Sequence, residues 1–417
     1  MKKLVLSITP SFYYPDFESH WNPRFDPVGG MHLLSYGLTT ALASRGVPHE
    51  VLTTGLPGMP RDWKVGELVV AHRRLLPVLP VKSSLEGHAG LVKAWAAGSF
   101  LWILSQRARL RREVAVVHSH CDGSASVLSL GYLAARVLGC PLVTQIYLSR
   151  LVTHDPTTFL QRLTDPLAKR TEAYVSARAS AVLVLTEHAR REFIKRAGVD
   201  ARRIERLACL TTADMSTHDT EERRRLLRER FRLPDDRPVV MYLGRIAAEK
   251  GCEFFVDAAG ELARGGRYHF VICGDGPDRG LIEGMIGSRG LSDAFTITGF
   301  LPHYLVPSMI HHASVGVVPS RYEELGLSIL EFMAMRRPVV VHDVSAVKEL
   351  VRDRETGILV KMGDTAALAA GIKALLDDPA LAGRIAEAAV KIPRERFSIE
   401  RSAERLLSIY RTLGLKL

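Results

Sequence analysis

Two doubly wound α/β domains in tandem are what this sequence predicts, on three observations. Short apolar runs alternate with amphipathic helical segments along the whole chain; the pattern halts at a charged stretch and then restarts; and 417 residues are too many for one ordinary core. The halt is "THDTEERRRLLRERFRLPDDRP", which reads as a solvated helix leading into the second domain. Residues 1–212 are therefore expected to form one domain and 213–393 the other, with a closing amphipathic helix within 394–417 packing back on the first.

In the first half, "KKLVLSI", "HEVLTTG", "ELVVAHR", "VAVVHSH", "PLVTQIY" and "SAVLVLT" read as strands. After the first, "DPVGGMHLLSYGLTTALASRG" sets Gly29 and Gly30 before a helix with Met31, Leu34, Leu38 and Leu42 along one face, and Gly46 ends it. Glycines at a helix N-terminus suit an anion. Residues 88–112 read as one helix that joins Trp95, Phe100, Leu101, Trp102 and Leu104 to Arg107, Arg109, Arg111 and Arg112. A basic C-terminal end is favoured by the helix dipole. "VAVVHSH" carries His118 and His120 on one face at a strand's carboxyl end, a position that is structural as readily as it is functional.

In the second half, "VVMYLG", "YHFVICG", "FTITGF", "SVGVVPS" and "PVVVHD" are the strands. The first runs into "LGRIAAEKG", where Gly244 permits a tight turn while Arg245 and Lys250 bring two cations to one strand end, as a diphosphate requires. "VICGDGPDRG" puts Gly274 and Gly276 directly after a strand, so the loop can pass close to a ligand. In "PSRYEELGLSILEFMAMRRPVVV", a strand end gives way to a loop. A helix follows with Leu327, Leu330, Met333 and Ala334 at helical spacing, and Pro338 stops it. Glu323 falls in the loop and Glu331 in the first turns of the helix. Two readings stay open: Glu323 and Glu324 cap the helix dipole while Glu331 is solvated, or the carboxylates accept hydrogen bonds from hydroxyls beside a phosphate at the helix N-terminus.

The composition, 47% hydrophobic and 24% charged, is that of a globular protein. "MKKLVLSITP" has too short an apolar run for a signal peptide, and no stretch reaches transmembrane length, so a cytoplasmic location is expected. Five cysteines are scattered singly without CxxC spacing, which argues against a zinc site or a disulfide framework. The net charge of +11 is lopsided: residues 1–215 hold 27 Lys+Arg against 17 Asp+Glu, the remainder 29 against 28. A basic first half suggests an anionic acceptor, or peripheral association with an anionic membrane that carries a lipid-linked one. No nucleic-acid role is expected for the charged run.

These motifs, taken in order, resemble the retaining, nucleotide-sugar-dependent glycosyltransferases of the two-Rossmann (GT-B) type, the large family with an E-x7-E motif. "VGGMH", "GRIAAEKG", "GDGP", "EELGLSILE", "PVVV", "VKEL" and "RETGILV" carry the resemblance over nearly the whole length. It implies two Rossmann-like domains facing each other across a cleft. A nucleoside-diphosphate sugar would be the donor and an acceptor hydroxyl the target, in glycan, glycolipid or glycoside synthesis. Arg245 and Lys250 would contact the diphosphate, Glu331 the ribose and Glu323 the transferred sugar. Gly29, Gly30, Gly244, Gly274, Gly276, Leu325, Gly326 and Leu327 would line the donor site, and His120 would lie across the cleft. His120, Glu323, Arg245 and Lys250 are thus the expected catalytic residues. No D-x-D motif stands near the cations and the protein supplies the charge itself, so no metal or other cofactor is expected. Departures from the family pattern are Arg336 for a glycine, Leu325 for an aromatic, Ser345-Ala346 for Gly-Gly, Tyr147 for a histidine, and an atypical hinge, "LACLTTADMS". The alternatives are an epimerase or phosphorylase on the same architecture, or a non-catalytic nucleotide-sugar-binding protein.

Overall fold

The computed structural model describes residues 4–10, 12, 30–55, 60–76, 84–121, 123–152, 159–209, 215–263 and 266–416, with side chains for all of these except 84–89, 159–162 and 345. The chain divides into two compact units. One takes in the first strand, Pro27–Thr211 and Ile399–Leu417; the other takes in Thr212–Ser398.

The first unit is built on an eight-stranded sheet. Its strands are β1 (Leu4–Ile8), β2 (His49–Thr53), β3 (Asp62–Val65), β4 (Val69–Arg73), β5 (Val114–Cys121), β6 (Leu142–Ile146), β7 (Ala181–Val184) and β8 (Ile204–Arg206), in the order β3-β4-β2-β1-β5-β6-β7-β8. All neighbours are parallel except β3 and β4. Every residue of β5, β6 and β7 is buried, as a parallel sheet covered on both faces requires. Alternate side chains point to opposite faces. Leu6, Ile8 and Val117 join Trp95, Ile103 and Leu128 on one side. Val5, Val116, Val143 and Leu183 join Leu42, Leu406, Leu407 and Tyr410 on the other. Burial of Ala403, Leu406, Leu407 and Tyr410 fixes the closing helix Ile399–Thr412 to this unit, each large side chain contributing about 1.5–3 kcal/mol.

Two expectations for this unit change. Residues 88–112 are not one helix: Ser84–Ser105 and Arg107–Glu113 are separate, broken where Gln106 leaves helical geometry at φ −98, ψ 6. Beyond the break Arg109 is drawn to Glu50 at 2.6 Å and to Glu113 at 2.8 Å, so it serves the fold. Gly30 is the first residue of the helix Gly30–Ala43 and does not precede it; Gly29 lies outside the described residues.

The second unit holds β9 (Val239–Leu243), β10 (His269–Cys273), β11 (Phe295–Gly299), β12 (Val315–Val318), β13 (Val339–His342) and β14 (Ile358–Val360), all parallel, in the order β11-β10-β9-β12-β13-β14. The order reverses between β9 and β12. In open α/β sheets, ligands bind outside the carboxyl ends of the strands at such a reversal.

Candidate functional site

The loops that follow β9, β10 and β12 in the second unit are locked to one another by backbone. Gly244 donates its N–H to the Cys273 carbonyl at 3.1 Å, and Ile246 to that of Asp275 at 2.8 Å. A Cβ on Gly274 would stand 1.9 Å from the Gly244 oxygen, and one on Gly276 would stand 2.2 Å from the Ile246 oxygen. These glycines thus satisfy an approach of loop to loop, whatever a ligand adds. On the other side, Gly251 lies at φ +63, and a Cβ there would meet the Pro319 carbonyl at 2.1 Å. Arg321 strengthens the same junction, donating its backbone N–H to Glu249 and its Nε to Ala248.

This junction brings Lys250 and Glu323 together. Lys250 Nζ donates to Glu323 Oε1 at 2.8 Å, and Ser320 Oγ donates to the same oxygen at 2.7 Å. The Glu323 side chain is only 7% exposed, so it is a buried carboxylate with a charged partner rather than a helix cap. Both bonds fall on Oε1. Arg245 sits at the end of β9 with half its side chain exposed, 3.8 Å from Glu249, and its carbonyl accepts from the buried Tyr242 hydroxyl at 2.7 Å.

The helix Leu327–Ala334 begins after its N-cap Gly326, which is left-handed at φ 82 and has no side chain to cap it. Glu323, bound to Lys250 and Ser320, is not its cap. Glu331 is not a solvated residue either: it is mostly buried, and its Oε1 lies 3.0 Å from His303 Nε2. The side chain of Leu325 is in the core at 4% exposure. Arg336, the departure from glycine, adopts φ +53, the left-handed geometry glycine would take freely.

In the first unit His118 and His120 project from β5 on the face that the closing helix covers. Each is 1% exposed. His118 Nδ1 lies 2.5 Å from the Tyr410 hydroxyl, His120 Nδ1 lies 3.1 Å from the Tyr147 hydroxyl, and the two imidazole centroids are 4.0 Å apart. Burial holds both imidazoles neutral: it takes His118 well below the usual histidine value and His120 down to about 3. His49, bonded to Ser7 in the same unit, is likewise pushed down to about 3. No group of three or more metal-ligating side chains suited to an ion occurs among the described residues, and no helix among them is long and apolar enough to cross a membrane.

Sequence reasoning missed Ser320, His303 and Tyr410. Ser320 and His303 stand next to recognised motifs, but nothing local says that their side chains turn toward the glutamates. Tyr410 lies 292 residues from His118 and carries no local signal at all.

Comparison with known proteins places these features in a family. Residues 29–209 match the family described as "Glycosyl transferase 4-like domain", and residues 223–392 match "Glycosyl transferases group 1". The chain is 51% identical over 387 residues to an alpha-D-kanosaminyltransferase from Streptomyces kanamyceticus, covering 92% of this chain and 100% of that protein. It is 34% identical over 414 residues to a 2-deoxystreptamine N-acetyl-D-glucosaminyltransferase from Streptomyces fradiae, covering 98% and 96%. Its fold matches sucrose-phosphate synthase from Thermosynechococcus elongatus with a TM-score of 0.80 over 99% of both chains, at 22% identity. With two parallel α/β units of GT-B type, and relatives matched over their full length, this chain belongs to the glycosyltransferases.

Proposed function

We propose that the enzyme transfers a hexosyl group, an aminohexose of the kanosamine kind, from a nucleoside-diphosphate sugar to a hydroxyl of a 2-deoxystreptamine-type acceptor. Transfer proceeds with retention at the anomeric carbon and without a divalent metal. The observation that carries the reading is the 51% identity over the entire length of the alpha-D-kanosaminyltransferase. The acceptor named for the Streptomyces fradiae relative supports the second half of it. An aminocyclitol is favoured over the anionic or lipid-linked acceptor that charge alone suggested.

The geometry of the second unit fits the donor end of this reaction. Arg245 and Lys250 hold the diphosphate, Glu331 accepts from the ribose, and Glu323 offers Oε2 to the sugar. Lys250 carries three N–H donors, so it can keep Glu323 and still reach a phosphate oxygen. As the bond from the anomeric carbon to the phosphate oxygen breaks, its electron pair passes to the phosphate. The two cations and the N–H groups at the start of the helix Leu327–Ala334 stabilise the charge that develops there. The acceptor hydroxyl attacks the same face and yields its proton to the departing phosphate. Charge supplied by side chains makes a metal unnecessary.

The test is a panel of uridine, guanosine and adenosine diphosphate sugars, both glucose and amino-glucose forms, with 2-deoxystreptamine and its glycosides as acceptors. Release of nucleoside diphosphate should require an acceptor, persist in excess chelator and give an α-linked product by proton NMR. Conversion of donor without acceptor would indicate an epimerase, and binding without turnover a non-catalytic protein. A β-linked product or a strict magnesium requirement would contradict the mechanism.

A further inference from the structure

Beside the apolar Val5, Val116, Val143 and Leu183, the β5 face beneath the closing helix buries polar groups: Ser7, His49 and Gln145, and toward its carboxyl end a group of four, His118, His120, Tyr147 and Tyr410. Polar groups taken from water cost free energy unless paired, so a purely structural face would be better served by apolar side chains. The four are joined in a line. Tyr410 bonds His118 at 2.5 Å, the His118 ring lies against that of His120 with centroids 4.0 Å apart, and His120 bonds Tyr147 at 3.1 Å with the two rings inclined by only 14°. His118 Nε2 is buried and meets no partner among the described residues, so the Tyr410 hydroxyl is the hydrogen-bond partner recorded for this ring.

We propose that Tyr410, on the closing helix, is a positioning residue for sugar transfer: by anchoring His118 it fixes the ring of His120, which Tyr147 holds from the other side. The inference rests on the expectation, implied by the family resemblance, that His120 is a catalytic residue for sugar transfer. Burial supports it, because neutral imidazoles and protonated phenols keep this line of contacts unchanged across the working pH range. Displacement of a reacting group's support by a fraction of an ångström is enough to lower turnover without touching the donor phosphates.

The test uses Tyr410→Phe, which keeps the ring and removes the hydroxyl, alone and combined with His120→Ala. Turnover is measured with the best donor and acceptor of the panel, and nucleoside diphosphate affinity and the histidine ring resonances of His120 are recorded alongside. Tyr410→Phe should lower kcat about tenfold, leave nucleoside diphosphate affinity within about twofold, shift the His120 resonances, and cost nothing further in the His120→Ala background. Wild-type kcat in Tyr410→Phe, or the same proportional loss without His120, would overturn the proposal. Should Tyr410→Phe fold poorly, His118→Phe keeps a ring against His120 while losing the anchor; it should show the same fall in kcat, and wild-type turnover there would equally refute the idea. If His120→Ala alone keeps full activity, the reading of His120 fails instead, a result distinct from failure of Tyr410.

Discussion

In the second unit Arg245 and Lys250 keep 49% and 32% of their side chains exposed, whereas in the first His118 and His120 are each 1% exposed. One set is charged and meets solvent at strand ends; the other is neutral, aromatic and sealed beneath a helix. On the proposed donor assignment, the contrast is a division of labour. Groups that must grip a doubly charged diphosphate need their own charge and an open approach, which loops at a topological reversal provide. Groups that fix the orientation of an uncharged ring need rigidity, which burial among packed side chains provides.

The largest expected effect breaks the charged half. Lys250→Ala removes the proposed phosphate donor and also leaves the buried Glu323 with Ser320 as its remaining partner, so transfer should fall by about 2–5 kcal/mol in transition-state stabilisation, at least about 30-fold in kcat/KM. Arg245→Ala should cost less, because Arg245 is half exposed and pairs only at 3.8 Å with Glu249. Equal losses, or none, in steady-state kinetics of the two variants would refute that ranking.

Acid breaks the neutral half. His49 and His120 are held near 3 and His118 well below its ordinary value of 6.5, so the unfolded chain binds more protons than the folded one below pH 6.5. Their contribution to stability is present above pH 6.5 and is lost as pH falls toward 3, by about 1.4 kcal/mol per pH unit for each histidine. Calorimetric melting between pH 7 and 4.5 should show the first unit losing stability steeply, with proton uptake on unfolding. A flat profile would mean that these rings are not buried neutral.

The smallest effect concerns the helix that carries Glu331. Arg336, two residues past its end, pays for a left-handed backbone at φ +53 and gains only an exposed pair with Glu387. Arg336→Gly should raise stability by up to about 1 kcal/mol with donor affinity unchanged. A lower melting temperature would show that the pair outweighs the strain.

How much of this was legible follows from distance along the chain. Gly244, Arg245, Lys250, Glu323 and Glu331 announce themselves because each sits in a strand-loop-helix unit whose glycines, charges and periodicity are local. Strands β3, β8 and β14 are not among those read from the sequence, since "DWKV" lies at a sheet edge with exposed charges and "IER" and "ILV" have three residues each. The break at Gln106 was missed because no proline or glycine marks it. Gly274 and Gly276 were noticed as ligand-facing, but the structure adds a reason that depends on another loop's backbone. Partners such as Tyr410 for His118 depend on the packing of a distant helix, which periodicity identifies as amphipathic without saying what it covers.

The division of labour is tested most directly by titration calorimetry of nucleoside diphosphate, without sugar or acceptor, into wild type, Lys250→Ala and His120→Ala. The account predicts binding weakened at least about 30-fold in Lys250→Ala and unchanged within about twofold in His120→Ala. Equal weakening in both variants, or undiminished binding in Lys250→Ala, would contradict it.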